Sequence, residues 1–206
     1  MTTPNTGQPI RLAIVGYGLI GQRHAQAIAA ASGVELAAIV EPEGSASRAA
    51  VDDSVKIFAD IKQMLREVEP DGVIIASPTK LHISHARSCI EAKIPTLVEK
   101  PISDDLVAAR RLTKDATEAN VALLVGHHRR FNPIIKKAHD LIRAGEIGHV
   151  RAINAICWFY KPDDYFETAP WRKMKGAGPV SVNLIHDIDL MRYFCGEVET
   201  VQAQFA

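Results

Sequence analysis

Short apolar runs that alternate with helix-forming segments are the feature that most limits how this 206-residue chain can fold. The apolar runs predict strands at residues 10–16, 34–40, 56–58, 71–77, 95–99 and 121–127. Runs this short and this apolar are typical of strands buried on both faces. Helices are expected between them, at residues 19–31, within 41–53, and at 60–68, 81–92 and 103–119, the last capped by Ser103. This alternation predicts an α/β fold with a doubly wound parallel sheet.

The pattern changes near residue 145. Residues 148–160 alternate partly between apolar and polar and predict a strand of a different, solvent-facing sheet. A long loop follows, then an amphipathic helix at 182–194 and the start of another strand at 198–206. A strand, a helix and a strand do not close a domain, so we expect the molecule to be cut short. The predicted organisation is a disordered tail (1–9), a nucleotide-binding domain (10–130) and a partial second domain (131–206).

Composition excludes several classes of function. Lys and Arg together number 24, as do Asp and Glu, so the net charge is zero and a general nucleic-acid binder is not expected. Three widely spaced cysteines favour a reduced, cytoplasmic protein. The sequence contains no stretch of about 18 apolar residues, so no membrane span is predicted.

The segment GYGLIG stands between the first predicted strand and the first predicted helix. Its glycines suit a tight turn and a close approach of the backbone to a pyrophosphate at the helix N-terminus. The second strand ends at Glu41, whose carboxylate can accept both ribose hydroxyls of an adenosine and would repel a 2′-phosphate, which favours NAD; Ser45 and Arg48 keep NADP open. The alternative is a glycine-rich turn in an unrelated α/β fold. The predicted cofactor-binding residues of this segment are Gly16, Tyr17, Gly18, Leu19, Ile20 and Gly21.

Three later strands end in polar or ionisable groups. The fourth ends in ASPTKLH, the fifth in EKP and the sixth in GHHRRFNP. Because the carboxyl ends of parallel strands meet at one edge of a sheet, these segments predict a ligand site there. For each residue alone, an ordinary capped turn is the competing interpretation. The predicted cofactor contacts are Ser77, Pro78, Thr79, His82, Glu99 and Lys100.

A helix near the end of the chain carries Asn183 and His186. They are three residues apart and therefore share a face of the helix. A histidine in this position can serve packing or catalysis. No metal site is expected, because no H-x-x-x-H or H-E-x-x-H spacing occurs.

Taken together, these motifs resemble the Gfo/Idh/MocA family, the glucose–fructose oxidoreductase and inositol dehydrogenase group. The resemblance covers residues 10–206 and is carried by GYGLIG, ASPTKLH, EKP, GHHRRFNP, PWR and GAGP…NLIHDID. It implies an N-terminal NAD(P)-binding Rossmann domain and the start of an α+β domain with a large open, mostly antiparallel sheet. Family members continue well past residue 206, so the resemblance also implies that part of the second domain is missing.

The resemblance assigns roles to single residues. It implies that Lys100 lies beside the nicotinamide and the reacting carbon, and that His186 transfers the proton. Trp171 and Arg172 resemble the family's loop contact to cofactor and substrate. One position departs from the pattern: Val182 stands where inositol-type dehydrogenases usually carry an aspartate. The predicted substrate contacts are Lys100, His128, Trp171, Asn183 and His186.

The function expected from the resemblance is hydride transfer between NAD, or NADP, and a secondary hydroxyl of a sugar or cyclic polyol. In its full-length form the protein is expected to be a homo-oligomer, a dimer or tetramer. Two alternatives stay open at this point: transient oxidation by NAD that enables elimination or glycoside cleavage, and NAD binding without catalysis. The proline after Lys100 allows a cis peptide at that bond.

Overall fold

The computed structural model describes residues 7–45, 55–167, 170–174 and 177–204, and for residues 170 and 171 it describes the backbone only. The tail up to residue 6 and most of the helix expected within 41–53 lie outside these ranges. The chain divides into two compact units, Met1–Gly126 and His127–Ala206.

The first unit is built on one six-stranded sheet with the order β3-β2-β1-β4-β5-β6. Every neighbouring pair is parallel. Strand β4 and the C-terminal halves of β1 and β2 are buried, with apolar side chains on both faces of the sheet. The predicted doubly wound sheet is confirmed. Its strands are β1 (Ile10–Val15), β2 (Val34–Val40), β3 (Lys56–Phe58), β4 (Gly72–Ile75), β5 (Thr96–Val98) and β6 (Leu123–Val125).

Among the described residues, the helices that connect the strands of this sheet are α1 (Leu19–Ala30), α2 (Ile61–Val68), α3 (Thr79–Glu91) and α4 (Leu106–Ala119). Helix α2 shows why such segments become helices. The side chain of Asp60 accepts the Gln63 N–H at 2.8 Å and caps the first turn. Met64, Leu65 and Val68 follow at helical spacing and are buried in the core.

The N-terminal cap of α4 differs from the prediction. Asp105, not Ser103, stands at the cap, and its carboxylate accepts the N–H groups of Val107 at 2.8 Å and Ala108 at 3.2 Å. Ser103 lies outside the helix, where its hydroxyl accepts the Asp105 N–H at 2.9 Å. Asp105 is the residue directly before the first helical turn, so only its side chain reaches the unpaired N–H groups there.

The order of the strands fixes where the sheet has a crevice. The chain moves outward from β1 through β2 to β3, and then returns to the other side of β1 with β4. The loops that follow β1 and β4 therefore leave the same edge of the sheet side by side. Ligands of doubly wound sheets bind at this kind of reversal.

The second unit is mainly helical. It contains a 3₁₀ turn at His128–Phe131, helix α5 (Pro133–Arg143), helix α6 (Asp163–Glu167) and a 3₁₀ turn at Pro170–Lys173. A wide π-helical turn at Val180–Leu184 runs directly into helix α7 (Ile185–Cys195). The helix expected at 182–194 is thereby confirmed.

Two predicted strands, at 148–160 and 198–206, are corrected by the structure. Residues 148–162 and 196–204 adopt neither strand nor helix, and residues 205 and 206 lie outside the described ranges. A strand needs a neighbour to satisfy its backbone N–H and C=O groups. Among the described residues of the second unit there is no strand that could serve as this neighbour. The alternating pattern of side chains is therefore insufficient to make a strand.

None of the helices in the described ranges has the length and apolar character needed to cross a membrane.

Candidate functional site

The three glycines of GYGLIG, two in the loop after β1 and the third inside α1, have different roles. Gly16 has φ +92°, and a Cβ on it would lie 2.6 Å from the backbone N and Cα of Ser77. A Cβ on Gly21 would collide with the carbonyl oxygen of Gly16. A Cβ on Gly18 would meet nothing within 4 Å. Gly16 and Gly21 are thus required by packing, whereas Gly18 borders open space that a ligand can enter.

This open space lies at the N-terminus of α1. Gly18 is the N-cap residue and has no side chain to bond the first-turn N–H groups. Leu19 and Ile20, the first two residues of α1, are 61% and 38% exposed, so neither belongs to the core. A helix N-terminus with this geometry attracts phosphate groups.

Glu41, at the end of β2, is bound to the glycine loop. Its Oε2 accepts the backbone N–H of Tyr17 at 2.6 Å, and its Oε1 accepts the hydroxyl of Ser45 at 2.6 Å. Glu41 and Tyr17 are 8% and 7% exposed. A ribose hydroxyl that binds this carboxylate would therefore share Oε1 with Ser45. Arg48, the other residue named for NADP, lies outside the described residues.

The first turn of α3, directly after the loop that follows β4, contains a buried histidine. The ring of His82, 2% exposed, has Nε2 2.7 Å from the Ser77 carbonyl oxygen and Nδ1 2.9 Å from the Pro101 carbonyl oxygen. His82 thus ties the loop after β4 to the loop after β5. Pro78 is the N-cap residue of α3 and is exposed, and Thr79, the first residue of the helix, is half-buried.

Ser77 has a second histidine neighbour. Its hydroxyl lies 3.0 Å from Nδ1 of His85. Burial, and then the nearby His82 ring, lower the pKa of His85. His85 was not among the residues expected from the sequence, since nothing in ASPTKLH marks a histidine one turn further along the helix.

Glu99 and Lys100 follow β5 directly. Glu99 Oε1 accepts from His24 Nε2 at 2.9 Å, and Glu99 Oε2 accepts the backbone N–H of Lys100 at 3.2 Å. Burial acts to raise the pKa of Glu99, but the His24 hydrogen bond and charge and the contacts with Lys100 lower it overall. Lys100 is half-buried, and the Lys100–Pro101 peptide is cis.

In the second unit, His186 stands in the first turn of α7 and is 8% exposed. The ring of His128 meets it edge to face, with centroids 4.9 Å apart. Asn183 lies in the π-helical turn one turn earlier and is half-buried. The structure thus brings together three of the predicted substrate residues: His128, Asn183 and His186.

Two ion pairs fix the 128–131 turn against α7. Arg129 Nη1 lies 2.7 Å from Asp187 Oδ1. Arg130 donates from Nε and Nη2 to Oδ2 and Oδ1 of Asp189, at 2.8 Å and 2.6 Å. Asp187 and Asp189 follow His186 within three residues along α7, so these pairs hold the helical turn that begins at the histidine against the 128–131 turn.

The loop before the π-helical turn carries Arg172. Its Nη1 donates to the carbonyl oxygen of Tyr165 at 2.6 Å, and its guanidinium carbon lies 3.9 Å from the centre of the Tyr165 ring. Arg172 is therefore anchored within its own loop. The side chain of Trp171, predicted beside it as a contact, lies outside the described residues.

Sequence reasoning missed His24, Arg129, Arg130 and Asp189. Their partners lie 58 to 75 residues away along the chain, so spacing within a motif gives no sign of the contact. The one available signal was the excess of basic residues in GHHRRF and of acidic residues in HDID. Within the described residues, no cluster of three His, Cys, Asp or Glu side chains could hold a metal ion.

Two family models match the chain. Residues 10–127 match the oxidoreductase family with an NAD-binding Rossmann fold, and residues 135–206 match the C-terminal domain of the same Gfo/Idh/MocA group.

Curated relatives include the rhizopine catabolism protein MocA of Rhizobium meliloti, 30% identical over 92% of this chain and 58% of its own length. The myo-inositol 2-dehydrogenase of Thermotoga maritima is 29% identical over 94% of this chain and 58% of its own length. The chain thus spans less than two thirds of the length of these relatives.

Solved structures of dehydrogenases also superpose on this chain. The WlbA dehydrogenase of Bordetella pertussis, in complex with NADH and UDP-GlcNAcA, superposes with a TM-score of 0.83 at 26% identity over 92% of this chain and 59% of its own. The scyllo-inositol dehydrogenase of Lactobacillus casei, with bound NAD(H) and scyllo-inositol, superposes with a TM-score of 0.78 at 25% identity. The match covers 92% of this chain and 57% of that chain. With both family models matched along its length, the chain belongs to the Gfo/Idh/MocA family of oxidoreductases.

Proposed function

We propose that this protein transfers a hydride between NAD and a secondary hydroxyl of a cyclic polyol or sugar. The observation that carries the proposal is the sheet edge of the first unit, where the open glycine loop, the buried Glu41 carboxylate and the Glu99–Lys100 pair follow β1, β2 and β5. The names of the relatives, which include dehydrogenases of inositols, support the substrate class.

The residues present fit a dinucleotide. Gly18 leaves room for a pyrophosphate at the N-terminus of α1, and Glu41 offers an oxygen to a ribose hydroxyl. A negative carboxylate at this position disfavours the 2′-phosphate of NADP, which supports NAD as the cofactor. Bound NAD would supply the hydride acceptor. Contacts from Ser77, Pro78, Thr79, His82, Trp171 and Arg172 to the cofactor remain predictions.

Two side chains of the protein are assigned to the reacting hydroxyl. An alcohol loses hydride from carbon easily only as its O–H proton leaves. A histidine has an unperturbed pKa of about 6.5 and can accept this proton near neutral pH, which is the role we give His186. The ammonium group of Lys100 would stabilise the negative charge that develops on the oxygen.

The substrate's other hydroxyls would be bound by polar side chains of the second unit. We assign this role to His128, Trp171 and Asn183. Residues 10–130 would then hold the cofactor, and residues 131–206 would form part of the domain that binds substrate and makes a homo-oligomer.

The experiment is a panel of inositols and sugars with NAD or NADP, followed through the absorbance of the reduced nicotinamide. We expect NAD-dependent turnover with at least one polyol. Lys100→Met and His186→Ala should each lower kcat by about 10² or more. The exposed controls Lys62→Met and His149→Ala should keep the wild-type rate. An absence of turnover across the panel, or wild-type rates in both site variants, would contradict the proposal.

A further inference from the structure

Helix α1 carries a histidine, His24, that none of the sequence motifs marks. We propose that His24, on α1, is a positioning residue for Lys100 and acts through the carboxylate of Glu99. The inference deepens the role proposed for Lys100 and rests on it.

The carboxylate of Glu99 divides its two oxygens between two partners. Oε1 faces Nε2 of His24 at 2.9 Å, and Oε2 faces the backbone N–H of Lys100 at 3.2 Å. The carboxylate can only accept, so His24 donates from Nε2. The side chains of His24 and Glu99 are 25% and 14% exposed, so water competes little for this contact.

A third element closes the space around the carboxylate. Gly126 follows β6, and its N–H donates to the Val98 carbonyl oxygen at 2.8 Å. A Cβ on Gly126 would lie 2.9 Å from Glu99 Oε1 and 3.0 Å from its Cδ. The backbone therefore covers one side of the carboxylate while His24 holds one of its oxygens. Glu99 has little freedom to rotate away from Lys100.

The ionisation state of Glu99 is consistent with this arrangement. Burial alone would raise the pKa of Glu99, yet the contacts with His24 and Lys100 lower it, so the carboxylate is ionised near neutral pH. An ionised Glu99 forms a stronger hydrogen bond with the Lys100 N–H than a neutral acid would. Loss of His24 would remove the largest contact that offsets burial and leave the carboxylate free to turn.

A purely structural His24 would affect stability alone, whereas a positioning residue changes how well Lys100 is placed. Small misplacements of a reacting group cost rate, up to about 10²-fold for 1 Å. The two roles therefore differ in kcat at saturating NAD and substrate.

The test compares His24→Leu, which removes the donor, with His24→Gln, whose amide can still donate to Glu99. Gln26→Leu, on an exposed part of the same helix, is the matched control. We expect His24→Leu to lower kcat by about 10- to 10²-fold on the most active polyol of the panel, with KM for NAD within about twofold. His24→Gln should restore most of the rate, and Gln26→Leu should match the wild type. A wild-type kcat in His24→Leu, or a His24→Gln variant as slow as His24→Leu, would overturn the inference.

A second set of measurements needs no turnover. Carbon-13 NMR of the Glu99 carboxyl gives its pKa, and pH-dependent acetylation of Lys100, read by mass spectrometry, reports the environment of its amine. In His24→Leu we expect the pKa of Glu99 to rise and the acetylation profile of Lys100 to change. If both change but no polyol is oxidised even by the wild type, the proposed function fails and the positioning role stands. If neither changes, the positioning role fails whatever the activity.

Gly126→Ala is the second variant, used should His24→Leu not fold. The added methyl group would press on Glu99 Oε1, so the same rise in the pKa of Glu99 and the same loss of kcat are expected. Unchanged values in a folded Gly126→Ala protein would overturn the inference.

Discussion

Arg130 holds the buried carboxylate of Asp189 with two parallel hydrogen bonds, at 2.8 Å and 2.6 Å, across 59 residues of chain. Asp189 is 4% exposed, and Nδ1 of His127 lies 3.7 Å from its Oδ2. The hydrogen bonds to Asp189 raise the pKa of Arg130. A bidentate pair of this kind fixes orientation as well as distance.

Arg130→Met should therefore destabilise the second unit. It leaves a buried carboxylate without its main partner, which costs about 3 kcal/mol, the low end for buried pairs because Arg130 is partly exposed. The double variant Arg130→Met/Asp189→Leu should recover part of this loss, because no charge then stays buried. Denaturant unfolding of both variants checks the prediction.

The control is the pair between Arg192 and Glu197, which has similar distances but lies at the surface, with Glu197 80% exposed. Arg192→Met should cost much less than Arg130→Met, since water screens exposed pairs. Equal losses at the two sites would contradict the argument from burial.

Gly16 and Gly18 should respond in opposite ways to alanine. Gly16→Ala forces a side chain into φ +92° and against the backbone of Ser77, so we expect a loss of about 2 kcal/mol or more in unfolding free energy. Gly18→Ala meets no protein atom within 4 Å, so the fold should keep its stability.

The same methyl group at position 18 would occupy the space left for a pyrophosphate. NADH should then bind about tenfold more weakly, which corresponds to about 1.4 kcal/mol. Thermal unfolding and NADH fluorescence titration separate the two effects. Undiminished NADH binding by Gly18→Ala would argue against a pyrophosphate at this position.

Glu41→Gln should change the choice of cofactor. The amide keeps an oxygen to accept the Tyr17 N–H, so the loop should stay in place, but the negative charge is gone. Because this charge would repel a 2′-phosphate, we expect NADPH to gain affinity relative to NADH by about tenfold. Titrations with both reduced cofactors measure the ratio. Ser45→Ala, which removes only the hydroxyl bound to Oε1, should leave NADH preferred.

The ionisation of Glu99 makes the free energy of unfolding depend on pH. Its pKa in the folded protein lies below the ordinary value of 4.5, so its contribution is fully present above that pH and is lost as the pH falls further. Wild type should therefore lose more stability than Glu99→Gln below about pH 4.5. His24 and Lys100 are titratable groups that face this carboxylate. Chemical unfolding of both proteins between pH 6 and pH 3 measures this difference. Parallel curves of unfolding free energy against pH would disprove the prediction.

The strands and helices in the described part of the first unit could be predicted from the sequence because their signals are local. Runs such as 34–40 are apolar throughout, and a parallel sheet buries both faces of such strands. The predicted N-cap of α4 was wrong by two residues. Ser103 and Asp105 are both good capping residues, and only the position of the first helical turn decides between them.

The second unit could be predicted less well because its contacts are distant. Residues 148–160 alternate like a strand, but strand formation depends on a neighbour that a pattern of side chains does not supply. Likewise, nothing in HDID indicates that the partner of Asp187 is Arg129, 58 residues earlier. Only His186 and Asn183, three residues apart on one helical stretch, could be related by spacing.

The contact between Gly16 and Ser77 has a consequence for engineering. The two residues belong to loops that leave β1 and β4, yet no atom larger than hydrogen fits on Gly16 without moving the backbone of Ser77. The backbones of the two loops are thus packed directly against each other, although some sixty residues of chain separate them. Transplanting the glycine loop into another sheet, or lengthening the loop after β4, would succeed only if both segments were exchanged together.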